Sequence, residues 1–158
     1  MGRTNNPKKF FSADEQERIL LAIQKAEDHT SGEIRLHLEG RCPTNEPLDH
    51  AKDLFFKLGM DKTDQRNGVI IYIATASHRF AILGDEGIHR VVPDNFWRDV
   101  RELMVTRFQE EDFCGGVIEG IARVGEKLHE FFPWQSDDVN ELTDEISFGG
   151  ESSPTKTN

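Results

Sequence analysis

The uninterrupted apolar run Val69-Ile-Ile-Tyr-Ile-Ala74 limits what this chain can fold into. It is rich in β-branched side chains and has no polar alternation, so it suits a strand covered on both faces. A polar loop containing Asp61, Asp64, Arg66 and Asn67 leads into it. Thr75-Ala-Ser-His78 breaks the run, and Arg79 to Leu83 resumes it as an antiparallel hairpin partner. A hairpin returns the chain to the end where it began. The entry loop therefore shares one end of the sheet with the exit loop, which carries Asp85 and Glu86. Chemistry is expected at that end.

The flanking segments complete an α/β pattern. Ser12-Ala-Asp-Glu15 is a capping box opening a helix whose face is Ile19, Ala22, Ile23 and Ala26. Glu33 to Glu39 alternates: Ile34, Leu36 and Leu38 point one way, and Glu33, Arg35, His37 and Glu39 the other. That predicts a strand with one solvated face near a sheet edge. Pro47 opens a second helix with Leu48, Ala51, Leu54, Phe55 and Leu58 as its stripe. Strand, helix and strand over 33–74 form a right-handed crossover with parallel strands, which also brings Ser31 and Glu33 to the loop end. After the connector Ile88 to Val92, Pro93-Asp94 caps a third helix and Asp112 a fourth. Gly115, Gly116, Gly120 and Gly125 in the fourth helix predict close approach to the sheet, since glycine costs about 1 kcal/mol against alanine there. The predicted order is α–β–α–β–β–α–α in a three-layer α/β/α sandwich around a mixed parallel/antiparallel sheet. Residues 1–9 read as a flexible N-terminus and 10–133 as the domain. Residues 134–158 lack periodicity and read as a disordered acidic tail that buries little.

Composition narrows the function classes. A net charge of −10 argues against nucleic acid and anionic membrane. Cys42 and Cys114 are too few for a disulfide framework and form no CxxC pair, which points to a reducing compartment. The N-terminus shows no apolar signal region, and no run approaches bilayer length. The expectation is a cytoplasmic monomer that does not insert into membranes and acts on an unknown protein partner.

The acidic end of the sheet is the best candidate site. Asp64, Asp85 and Glu86 are the leading ligands for a divalent cation, with Ser31, Glu33, Asp61 and Asn67 behind them. Such oxygen-rich loops suit Ca²⁺, which tolerates irregular geometry, although the spacing is not that of an EF-hand. The alternative is that Asp61 and Asp64 only form turns while Asp85 and Glu86 are solvated. Cys114 lies near a helix N-terminus but reads as a small buried residue. The six histidines show no metal-ligand spacing and read as surface residues. No nucleophile–base pair is legible.

Four segments taken together, Thr30-Ser-Gly-Glu-Ile34, Arg66-Asn-Gly-Val-Ile-Ile-Tyr-Ile73, Arg79-Phe-Ala-Ile-Leu-Gly-Asp-Glu-Gly-Ile88 and Phe113-Cys-Gly-Gly-Val-Ile-Glu-Gly-Ile121, resemble the TPM domain family. The similarity covers about residues 10–132 and suggests a short soluble bacterial form. The resemblance implies an α/β/α sandwich. Thylakoid members are linked to photosystem II repair and described as acid phosphatases, an animal member is an auxiliary receptor subunit, and some bacterial members bind Ca²⁺ in loops at one end of the sheet. This chain departs from the commonest layout in lacking a leader peptide and a membrane helix. The resemblance implies a Ca²⁺-binding interaction or regulatory module. Its alternative is a weak metal-dependent phosphomonoesterase with Arg66 holding the phosphate.

Overall fold

The computed structural model describes residues 3–134 and 146–149. The elements are α1 (Ala13–Glu27), β1 (Glu33–Glu39), α2 (Pro47–Lys57), β2 (Gly68–Ala74), β3 (Arg79–Gly84), α3 (Glu86–His89), α4 (Phe96–Gln109), α5 (Phe113–Phe131) and β4 (Ile146–Phe148). The sheet order is β3-β2-β1-β4. β1 runs parallel to β2, with Glu33 opposite Gly68, and parallel to β4, while β3 is antiparallel to β2. The mixed α/β sandwich read from the sequence is the fold observed.

β2 explains the layering. Every one of its residues is buried, and its pleat divides them by period two. Val69, Ile71 and Ile73 join a large core with Ile19 and Ile23 of α1, Met104 of α4 and Val117 and Ile121 of α5. Ile70, Tyr72 and Ala74 face a smaller core with Ala51, Leu54 and Phe55 of α2. A strand packed on both faces gains nothing from polar alternation.

The glycines of α5 serve a different purpose from the one expected. A Cβ at Gly116 would crowd Phe108, one at Gly120 would crowd Met104, and one at Gly125 would crowd Ala26. They let α5 pack tightly against α4 and α1, not against the sheet. Asp112 caps α5 as predicted, accepting from Gly115 N at 2.9 Å. α4 starts at Phe96, with Asn95 at its cap position and no side-chain cap bond. The last two residues of α3, whose cap is Asp85, occupy the start of the expected connector Ile88 to Val92.

Both ends of the chain are tied down more than their composition suggests. The capping box of α1 is present, with Glu15 N donating to Ser12 Oγ at 3.1 Å and Ser12 N to Glu15 Oε1 at 3.0 Å. Arg3 then grips Glu15 with two nitrogens, at 2.6 and 2.8 Å, and its guanidinium lies over the Phe10 and Phe113 rings. A planar cation that finds both a carboxylate and aromatic faces orders a segment that reads as flexible. In the predicted tail, Ile146–Phe148 forms β4 along β1, and Gly149 N donates to Leu38 O at 2.9 Å. Three residues are too few for a periodic signal. The remainder of the tail lies outside the described residues.

β1 also differs from its expected form. It lies inside the sheet, and Glu33, His37 and Glu39 on its polar face are buried; Ser147 of β4 meets His37, and His50 of α2 meets Glu39.

Candidate functional site at the amino end of the parallel strands

The two loops flanking the hairpin meet as the sequence predicts, and backbone bonds hold them together. Asp85 N donates to Gly68 O at 2.9 Å, and Gly87 N donates to Arg66 O at 2.8 Å. Arg66 sits at φ 51°, a left-handed conformation that a non-glycine residue keeps only when its surroundings fix it. Its side chain supplies that restraint. Nε donates to Asp85 Oδ2 at 2.6 Å and Nη2 to Oδ1 at 2.9 Å. The same carboxylate accepts from Glu86 N at 2.8 Å and so caps α3. The Asp85 hydrogen bonds raise the Arg66 pKa further, with Asp85, Glu86 and Asp61 adding negative potential.

Gly87 is where this junction tolerates no side chain. A Cβ there would press on the backbone carbonyls of Gln65 and Arg66. Gly87→Ala is expected to destabilise by about 1–3 kcal/mol, the range of overpacking, with amide shifts concentrated in 63–67. A melt matching wild type would show that the two loops do not interlock.

The expected site residues divide into two groups. Asp85 and Glu86 face Arg66, Glu86 at 3.6 Å, and Arg90 lies 3.7 Å from Glu86. Arg66 is thus the counter-ion of the acidic loop. Asp61 is half-buried and Asp64 exposed on the entry loop. Among the described residues, no group of three or more His, Cys, Asp or Glu side chains is placed to hold a metal ion. The second group lies deeper. Asn67 Nδ2 and Gln65 Nε2 both donate to Ser31 Oγ at 3.0 Å. Glu33 is buried beside them, its backbone N reaching Asn67 O at 3.5 Å. Asn67 is 1% exposed, yet its Oδ1 has no hydrogen-bond partner among the described residues. A buried carbonyl oxygen without a donor costs about 1–3 kcal/mol.

The TPM domain family profile matches residues 4–127. The chain belongs to the TPM domain family. No curated protein matches it. Among solved structures it is similar to the BA42 protein of the psychrophilic bacterium Bizionia argentinensis, with 42% identity over 90% of this chain and 97% of that one and a TM-score of 0.82. It also resembles the N-terminal domain of a P. gingivalis protein, with 18% identity, coverage of 76% and 77%, and TM-score 0.60. A third match is the N-terminal domain of cg2496 from Corynebacterium glutamicum, with 13% identity, coverage of 94% and 84%, and TM-score 0.59. The last two show the fold alone.

This TPM domain holds a second polar cluster that sequence reasoning missed, toward the other end of β1. Glu39 Oε1 accepts from Tyr72 OH at 3.0 Å and lies 2.9 Å from His50 Nε2, while Oε2 lies 3.4 Å from His37 Nε2. His37 Nδ1 contacts Ser147 Oγ of β4 at 2.8 Å. Burial works to raise the Glu39 pKa, but the bonds from His37, His50 and Tyr72 outweigh it and hold the carboxyl down at about 2. Burial, and then the Glu39 charge, push the Tyr72 phenol far up, so it remains a donor. The available signal was His37 and Glu39 two apart on one strand face, with His50 on the next helix. Cys114 is buried as expected, and burial raises its thiol pKa, which leaves it a poor nucleophile.

Proposed function

We propose that this TPM domain is a non-catalytic interaction module that responds to a divalent cation at the amino end of its parallel strands. Ca²⁺ suits the oxygen donors there best. The observation that supports this reading is the Oδ1 of buried Asn67, which has no hydrogen-bond partner among the described residues. The same side-chain amide donates to the Ser31 hydroxyl, Glu33 opens the adjoining strand β1, and Asp61 and Asp64 lie on the entry loop. A hard cation takes neutral carbonyl and hydroxyl oxygens together with carboxylates. Asn67, Ser31 and Glu33 would hold the ion, and the 61–67 loop would transmit its arrival. The domain works in this reading as a monomer in the cytoplasm, presenting that loop to a protein partner.

The phosphomonoesterase alternative has less support. Arg66, its phosphate anchor, already donates two bonds to Asp85. Ser31 Oγ is met by two amide donors and so has no general base in those contacts.

Thermal melting with Ca²⁺ tests the proposal. Saturating Ca²⁺ raises the wild-type melting temperature, equivalent to about 2.7 kcal/mol at a hundredfold excess over the dissociation constant. Asn67→Ala removes most of that rise. Asp49→Asn, on α2, retains it. A wild-type melt unmoved by millimolar-order Ca²⁺ would sink the reading.

A further inference from the structure

The opposite end of the sheet carries a different kind of site. An apolar slot of about 520 Å³ opens beside the carboxyl end of β2, within the volume range of small-ligand pockets. Ile73 and Phe80 of the hairpin, Phe108 of α4 and Phe113 of α5 line it. These aromatic and aliphatic walls belong to four elements, β2, β3, α4 and α5, packed on the main core, with Phe80 edge-on to Phe108 at 4.9 Å between ring centres. The slot is therefore formed by rigid parts of the fold.

Its rim is cationic on one side. His78 and Arg79, both exposed, stand at the hairpin turn, and Arg3 lies at the N-terminal wall. Arg3 is already neutralised by Glu15. Arg79 Nη1 donates to Asn45 O at 3.2 Å, a bond to a neutral backbone oxygen, and no carboxylate among the described residues pairs with it. A second, polar pocket of about 390 Å³ adjoins through Asn5 and adds Lys8 and Arg41. Among the described residues, Glu111 is the one carboxylate in the lining of the slot. In a chain of net charge −10 this gathering of cations is local. It sits at the carboxyl ends of the parallel strands, where open α/β sheets tend to bind ligands. The proposed cation site is at the amino ends, so the two sites are separate.

We infer that this slot binds a single-chain amphipathic anion, an aliphatic carboxylate, with its chain between Phe80, Phe108 and Phe113 and its head on Arg79. The chain gains burial against aromatic faces, and the guanidinium supplies a charge-assisted pair for the carboxylate. No bond is made or broken, so no co-reactant is needed.

The test uses the full chain and dodecanoate below its micelle threshold, with a chelator present because Ca²⁺ precipitates long-chain carboxylates. Amide spectra should show saturable shifts at Ile73, Phe80, Val105 and Phe108. Dodecanol should bind more weakly, and Arg79→Gln should weaken dodecanoate by about tenfold while leaving dodecanol unchanged. Butyrate, too short to fill the slot, should not saturate. Val105→Trp, which fills the slot from α4, should abolish dodecanoate binding in a protein that retains its dispersed spectrum. Should that variant fail to fold, the alcohol and short-chain comparisons still decide. Absence of saturable shifts, shifts confined to the acidic loops, or equal affinity for dodecanol and dodecanoate would overturn the inference.

Discussion

Glu39→Ala is expected to lower stability by about 3–5 kcal/mol, the largest loss from any single polar substitution in this domain. The reason is what the carboxylate leaves behind. Tyr72 OH, His50 Nε2 and His37 Nε2 all converge on it inside the sheet–α2 interface. Removing the acceptor leaves the buried Tyr72 and His37 and the half-buried His50 without it. Tyr72→Phe removes one donor and leaves the others served, so it costs less, about 1–2 kcal/mol. Acid should reproduce the effect in wild type. The folded pKa of about 2 lies below the ordinary value of 4.5. The Glu39 contribution is therefore fully present above pH 4.5 and fades as pH falls toward 2, a total of roughly 3 kcal/mol. Urea melts of wild type and Glu39→Ala across that window should converge at the acid end. Parallel curves would show that Glu39 is not the linked group.

Deleting residues 145–158 is expected to cost about 2–4 kcal/mol. Ile146 is buried, worth roughly 1.5–3 kcal/mol for an aliphatic side chain. Ser147 is lost from His37, and Gly149 N–H from Leu38 O. Gly149 also packs where a Cβ would come within 2.8 Å of both Glu39 Oε2 and His37 Nε2, so its removal opens the Glu39 cluster to water. A truncated chain melting within about 0.5 kcal/mol of the full one would show that β4 does not stay docked. Composition points the other way, toward a segment that can be removed at little cost.

The contrast shows what kinds of contact a sequence displays. β2 was legible because burial on both faces leaves an unbroken apolar run, and the hairpin followed from the polar break at 75–78. The capping box at Ser12 and Glu15 is local and was legible for that reason. β4 was not, because its partner β1 is distant in sequence and only three residues pair. The polar face of β1 misled for the same reason. Glu33, His37 and Glu39 look solvated in the sequence, and it is tertiary packing, with Ser147 against His37 and His50 against Glu39, that buries them. The glycines of α5 signal close packing, but the sequence does not say against what, and the partners are α4 and α1.

The candidate site was legible in position more than in roles. The hairpin does bring 61–67 and 85–87 together. The role of Arg66 as counter-ion to Asp85 and Glu86 is set by the loop junction and was not legible. Asp85→Asn is consequently no neutral probe of ion binding, since it breaks a two-bond pair within the loop junction. The deeper oxygens of Ser31 and Asn67 were only second choices in the sequence, because burial and an unmet carbonyl are invisible there.

An amide NMR titration of the wild-type chain with Ca²⁺ tests the central claim most directly. The account predicts saturable shifts at Ser31, Glu33 and Thr63 to Asn67, with the Asp85 and Gly87 amides following through the loop junction and the Glu39 cluster silent. Shifts confined to the acidic residues beyond Trp134, or spectra unchanged to millimolar-order Ca²⁺, would contradict it.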